Sequence, residues 1–440
     1  MNKFLNFFLF LFLSLLLTSS CSFDKKTGFW TKTKKISQKE KIEFKIKEIF
    51  VEEKVLDKEF NAGLKINLSA KLINNSFVNN FDNNNGRVNY NGNLKNISRY
   101  KFSKIEDFNK FEPEIVFDKD NIIFFNNKGS ILKFNNSSKL IWRKNYYSKS
   151  EKKLNPILFL ARNKNVLVVA DNTSKYYAID INSGELLWAR NNSSAFNSQV
   201  KIYKDRFFVI DFENILKCFS IKDGKKIWQV RTEKSFIKSQ KKLSLIIIND
   251  VVYFSNSVGD ISAVNINNGT LLWQTPTRAN VVLDEQIFLK TSDIIADNNT
   301  ILFSNNKNEF FSLDLTTGIL NWTQKINSSL RPTLIDNLIF SVSLEGFLFI
   351  LDKKSGNIIR TTDVFKQFKI KKRSKIKPVG FIVGSENIYL TTNHGKLIII
   401  NVSTGQPISL LKIDSDKISR PFVLNQNLYI IKENSVIRLN

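Results

Sequence analysis

Few side chains in this chain could do chemistry. Its 440 residues hold one His, His394, and two Cys, Cys21 and Cys218. His394 lies in Thr392-Asn393-His394-Gly395, a turn sequence ahead of a strand pattern. Any Ser-His-Asp triad would have to be built on that one imidazole, and no Gly-x-Ser-x-Gly surrounds a Ser. The inventory cannot supply a Cys/His metal set. Cys218 falls inside the apolar run Ile215-Leu216-Lys217-Cys218-Phe219 and reads as a small buried hydrophobe. Carboxylate pairs could converge from distant loops, but no spacing singles one out. Five evenly spaced Trp could be platforms for sugars or bases. Each sits at one repeat phase with a Leu or Ile in the two positions before it, which favours packing between repeats. The recurrent Gly turns lack the helix pattern and Gly-Lys-Ser/Thr of a phosphate cradle. No catalytic residue, metal ligand or cofactor motif emerges, and the chain reads as a binding scaffold rather than an enzyme.

The elements that carry these residues repeat. Four Trp close one phrase: Gly184 to Trp188, Gly224 to Trp228, Gly269 to Trp273 and Gly318 to Trp322. Trp142 has the same tail behind Ser138, and Gly356 and Gly405 open copies that end in Arg360 and Ser409. The positions 142, 188, 228, 273, 322, 360 and 409 are 38 to 49 residues apart, the period of a four-stranded propeller blade. Before each Gly come short β-branched and aromatic runs, as in Val251-Val252-Tyr253-Phe254-Ser255 and Ile261-Ser262-Ala263-Val264-Asn265. Each Gly follows Asn, Asp, Ser or Thr, the pairing that gives a tight hairpin its positive φ. The C-terminal stretch from Pro421 to Leu439 supplies three strands and stops. Tyr100 to Ile105, 40 residues ahead of Trp142, is the candidate fourth. The fold expected is therefore all-β: an eight-bladed β-propeller of four-stranded antiparallel blades, closed by N- and C-terminal strands in one blade, with phases at 102, 142, 188, 228, 273, 322, 360 and 409.

The N-terminus reads as a signal peptide over residues 1–20: Lys3, a Phe/Leu run from Phe4 to Leu17, then Thr18-Ser19-Ser20 before Cys21. The apolar run is short for a membrane span. A Cys after small residues suggests bacterial lipoprotein processing at Cys21, although Thr18 stands where Leu is usual. A free thiol after ordinary cleavage is the other reading. Ser22 gives no inner-membrane retention signal, so the expected place is the periplasmic face of the outer membrane. Residues 21–74 read as a lipidated, partly disordered leader, and 75–440 as the propeller. The chain has 66 Lys and Arg against 40 Asp and Glu, a net charge of +26. The charges are scattered, and an exported protein rarely meets nucleic acid, so none is expected as a partner. The one concentration, Lys366 to Lys377, falls between repeats, where it is either a solvated loop or a membrane or partner contact.

The unit Asp-x-x-Thr/Ser-Gly-x-x-x-Trp, at Asp180 to Trp188 and Asp314 to Trp322, resembles the quinoprotein-like (PQQ-type) propeller repeat. Eight such units behind a lipoprotein signal resemble the BamB family of the outer-membrane β-barrel assembly machinery, over about residues 75–440. That resemblance implies a non-enzymatic subunit that binds a periplasmic POTRA domain of the barrel subunit BamA and helps deliver unfolded outer-membrane proteins in a Gram-negative bacterium. It also implies two contact loops. Ser235 to Gln240 corresponds to the first, with Phe236 and Ile237 as apolar anchors and Lys238, in place of Arg, as the cation. Thr291 to Ile295 corresponds to the second, with Asp293 matching the family pattern and Ile295 where a second acid is usual. No cofactor is expected. The alternatives are a PQQ-dependent periplasmic dehydrogenase, whose family carries adjacent cysteines that this chain lacks, and a glycan- or cell-wall-binding propeller.

Overall fold

An Asp-x-x-Ser/Thr-Gly turn, or a close variant of it, sets the geometry of most blades. In the computed structural model, Asp180 Oδ1 accepts from the Asn182 and Ser183 amides at 2.9 and 2.8 Å, and the Gly184 amide donates back to Asp180 O at 2.8 Å. Gly184 sits at φ 70°, and Gly224, Gly269, Gly318, Gly356 and Gly405 fall between 67° and 76°. Each such turn joins the third and fourth strands of a blade. The structure describes residues 21–23, 30–32, 58–69, 72–73, 86–232, 238–239, 241–277 and 289–440.

Eight four-stranded antiparallel sheets follow one another along the chain. Counting from the first complete one, the inner strands are Val116–Asp118, Leu158–Asn163, Lys201–Tyr203, Leu245–Ile248, Ile295–Ala296, Thr333–Ile335, Pro378–Val383 and Phe422–Leu424. They begin blades 1 to 8. In every blade the third and outer strands slip by one residue, as between Ala178 and Ile179, where Ala178 faces Trp188 and Ile179 faces Leu186. This bulge leaves Leu187 opposite nothing and turns the Trp toward the next blade.

There the ring lies on the following Gly turn. A Cβ at Gly224 would stand 2.5 Å from Trp188, and one at Gly356 would stand 2.4 Å from Trp322. The indole N–H donates to a turn carbonyl: Trp142 to Ile181 at 3.2 Å, Trp188 to Ile221 at 2.7 Å, Trp228 to Ile266 at 3.1 Å and Trp322 to Lys353 at 2.9 Å. The Trp and Gly of the repeat are thus two halves of one joint between blades. In blade 6 Arg360 replaces Trp, and its guanidinium still donates to the matching carbonyl, Val402 O, at 3.4 Å. It donates also to Ser403 O at 2.6 Å and Leu64 O at 2.7 Å.

Blade 8 closes the ring with strands Asn427–Lys432 and Ser435–Leu439, edged by Asn96–Lys101 from the N-terminal side. The closing strand lies four residues earlier than expected, overlapping Tyr100 to Ile105 only at Tyr100 and Lys101. Ser98, not Phe102, stands opposite Arg438 at the Trp place. The reason is that Tyr100 is fully buried against Phe134 and Tyr429 and fixes the register.

Residues ahead of position 75 already pair with the blades. Phe60 bridges Thr361 by two backbone hydrogen bonds, the Ile66 amide donates to Ser403 O at 2.8 Å, and Ile66 is buried among Leu330, Phe340 and Phe381. Val88 and Tyr90, ahead of the first complete blade, are buried with Tyr389 and Ile430. Separately, Cys21–Phe23 pairs antiparallel with Trp30–Lys32.

Candidate functional site

Two residues ahead of an inner strand, several blades carry a charged or polar side chain: Glu114, Gln199, Asp293, Arg331 and Arg420. These residues belong to blades 1, 3, 5, 6 and 8. Gln199 Nε2 lies 3.4 Å from both Glu114 and Asp293, and Arg331 Nη2 lies 2.5 Å from Asp293 and 3.7 Å from Glu114. Side chains of non-adjacent blades meet only on the ring axis. The backbone beneath them is tied by a repeated serine bridge: Ser198, Ser292 and Ser419 each donate to the next carbonyl and accept an amide from the second strand of the blade.

The cluster is buried and nearly closed on itself. Asp293 is 5 % exposed, and its Oδ2 accepts from both Nε and Nη2 of Arg331. Lys242 Nζ lies 2.9 Å from Glu114, and Lys241 Nζ donates to Ser329 O at 2.6 Å. Burial alone would raise the Glu114 carboxyl, but Lys242 and Arg331 outweigh it and hold it below the usual range. At Asp293 burial is again opposed, by Arg331, Lys241, Lys242 and Arg420, and the group is held far down. Arg420 is lowered by burial and then by Arg331, with Asp293, Glu114 and Glu112 pulling the other way. Such a set can brace blades and present charge at its rim.

The residues singled out in the sequence fall into three groups. The Trp and Gly of the repeat sit at the blade joints. Cys218 is fully buried, its thiol pushed up to about 12 by desolvation, and His394 is exposed in its turn with Nδ1 2.9 Å from Asn393 Oδ1. Of the expected contact residues, Phe236 and Ile237 lie outside the described residues. Lys238 Nζ is 2.8 Å from Glu213, with its side chain 36 % exposed. Asp293 faces the axis, where Arg331 takes its carboxylate, instead of facing outward from its loop. In the basic loop, Arg373 Nη2 pairs with Asp363 at 2.6 Å while Phe365 and Phe368 are buried, leaving Lys369, Lys371, Lys372 and Lys375 exposed.

Glu114, Arg331, Lys241, Lys242 and Arg420 were missed in the sequence. For Glu114, Arg331 and Arg420 the signal was there, as a polar residue at one fixed offset before the first apolar strand of a blade. It is legible only once the blade boundaries are known to the residue.

The family model described as outer membrane protein assembly factor BamB matches residues 127–362. The outer membrane protein assembly factor BamB of Shewanella oneidensis is 22 % identical over 275 residues, 61 % of this chain and 67 % of that protein. Its counterpart in Legionella pneumophila is 24 % identical over 161 residues, a match spanning 37 % of that protein. The crystal structure of BamB from Moraxella catarrhalis superposes with a TM-score of 0.65 at 16 % identity, covering 79 % of this chain and 99 % of that one. The quinohemoprotein alcohol dehydrogenase of Comamonas testosteroni shares the fold, with a TM-score of 0.62 at 9 % identity over 81 % of this chain and 78 % of that one.

Proposed function

The chain belongs to the outer membrane protein assembly factor BamB family, and from that premise we propose that it is a non-enzymatic scaffold of the β-barrel assembly machinery. It docks on a POTRA domain of the barrel subunit BamA and aids insertion of unfolded outer-membrane proteins. A lipid on Cys21 holds it at the periplasmic face of the outer membrane.

The observation that carries this reading is the family match, whose span includes both segments assigned to the contact. Residues 232–244 link the outer strand of blade 3, Lys226–Arg231, to the inner strand of blade 4, and residues 276–294 do the same between blades 4 and 5. The described ends of both segments, 241–244 and 289–294, lead into inner strands on the same side of the ring as the axial cluster. Phe236, Ile237 and Lys238 form the contact, with Glu213 positioning the ammonium. Asp293 supports the second segment from beneath through Arg331.

The test is affinity isolation of the tagged full-length chain from solubilised envelope, with mass spectrometry of what accompanies it. Recovery of the barrel subunit is expected, and Phe236→Ala with Lys238→Glu should reduce it at least tenfold. Absence of the subunit from the wild-type isolate would overturn the reading. Binding of added pyrroloquinoline quinone, seen as an absorbance change, would support the dehydrogenase-like alternative, and retention on peptidoglycan resin the glycan-binding one.

A further inference from the structure

The axial cluster does not fill the end of the ring. Outside it opens a cavity of about 440 Å³, bounded by segments that precede the inner strands of blades 1, 4, 5, 6, 7 and 8 and by hairpins of blades 5, 6 and 7. Its volume is in the range of small-molecule pockets, about 300–1,000 Å³. Six ammonium groups line it, those of Lys110, Lys241, Lys242, Lys290, Lys377 and Lys417, against one carboxylate among the described residues, Glu112.

Part of that charge is answered. Lys110 pairs with Asp107 at 2.8 Å, Lys242 with Glu114 at 2.9 Å, and Lys241 lies 3.7 Å from Glu112. Among the described residues Lys417 donates only to carbonyls, Asn109 O at 3.1 Å and Phe111 O at 3.2 Å. The Lys290 and Lys377 side chains, both exposed at the rim, form no ion pair among the described residues. Burial lowers the Lys417 ammonium and Glu112 opposes it, while Lys290 and Lys241 each add a smaller downward push. Three cations from the approaches to blades 4, 5 and 8 therefore repel one another across the cavity, a cost that an anion seated between them would remove.

We propose that this cavity binds a phosphate or diphosphate group. Compact lysine ammonium groups set around a pocket suit a tetrahedral, multiply charged oxyanion, whereas planar carboxylates are better matched by the forked guanidinium of Arg. The rim does not decide between a soluble phosphate compound and the headgroup of an anionic lipid, so the two are tested side by side.

Full-length protein is titrated calorimetrically with inorganic pyrophosphate, and its co-sedimentation with phosphatidylglycerol vesicles is measured at the same ionic strength. Lys290→Gln with Lys377→Gln removes two rim cations that form no ion pair among the described residues, and a thermal midpoint within about 2 °C of wild type certifies the fold. Saturable pyrophosphate binding that weakens at least tenfold in the double variant, and tightens in Glu112→Gln, assigns a soluble ligand. Vesicle binding that falls in the double variant while pyrophosphate stays silent assigns a headgroup. If neither binding responds to the two substitutions, the proposal is overturned. Recovery of the barrel subunit is scored separately and does not depend on this cavity.

Discussion

Arg331 holds two carboxylates at once, the buried Asp293 at 2.5 Å and the half-buried Glu114 at 3.7 Å. Removing one partner of a buried ion pair leaves a charge with neither water nor counter-ion, at a cost of about 3–5 kcal/mol. Arg331→Met should therefore lower the free energy of unfolding by about that amount, read from the denaturant midpoint of the folded domain. The same pairs set an acid limit. Glu114 and Asp293 titrate below their ordinary values of 4.5 and 3.8 in the folded chain. Their contribution is complete above those ordinary values and is lost as pH falls toward the folded ones. The thermal midpoint should be flat above about pH 5 and fall steeply below about pH 4. Arg331→Met should make that fall shallower, because without the guanidinium the folded carboxylates titrate closer to their ordinary values and less stability is left to lose on acidification; an unchanged slope would show that Arg331 does not set it.

At the scale of the element, the blade joint is a ring laid on a glycine. Gly356 carries φ 73°, and a Cβ there would lie 2.4 Å from Trp322. Gly356→Ala meets both a forbidden backbone region and an occupied space, and should cost about 2–4 kcal/mol. Gly63→Ala, with open space around its Cβ, should change stability by less than about 0.5 kcal/mol. Chemical unfolding of the two variants side by side checks the contrast. The apolar residues just before the Trp behave differently from what their hydrophobicity suggests. Leu187 and Leu272 are half exposed, because the bulge that aims the Trp at the next blade sends its neighbours to the outer edge.

At the scale of the molecule, seven joints between blades are made by consecutive segments, and the eighth requires the chain to bring residues 96–101 back beside its last strand. The leader strengthens the ring where the repeat is weakest. Blade 6 has Arg360 in place of Trp, and there Leu64 O accepts from the guanidinium while Ile66 fills the seam between blades 6 and 7. Ile66→Ala should cost about 2–5 kcal/mol although it lies outside every blade, and limited proteolysis should then cut the leader first. A substitution there that left both stability and cleavage unchanged would show the leader to be a passive tether.

The eight-bladed all-β ring was legible in the sequence because the Gly turn, the alternating runs and the Trp recur at one phase, and local chemistry fixes each of them. Blade count, the packing of Trp between blades and the substituting Arg360 and Ser409 followed from that spacing, and the buried Cys218 from its apolar run; that each Trp lies on the next Gly turn did not. The register of the closing strand did not, since it is set by Tyr100 packing against residues more than three hundred positions away. Nor did the fate of Asp293. Spacing put it in a loop segment, and only the convergence of blades 1, 3, 5 and 6 on one axis showed that a guanidinium from the next blade claims its carboxylate. The lysine-lined cavity is of the same kind. Its residues are scattered from 110 to 417, and ring closure alone brings their charges together.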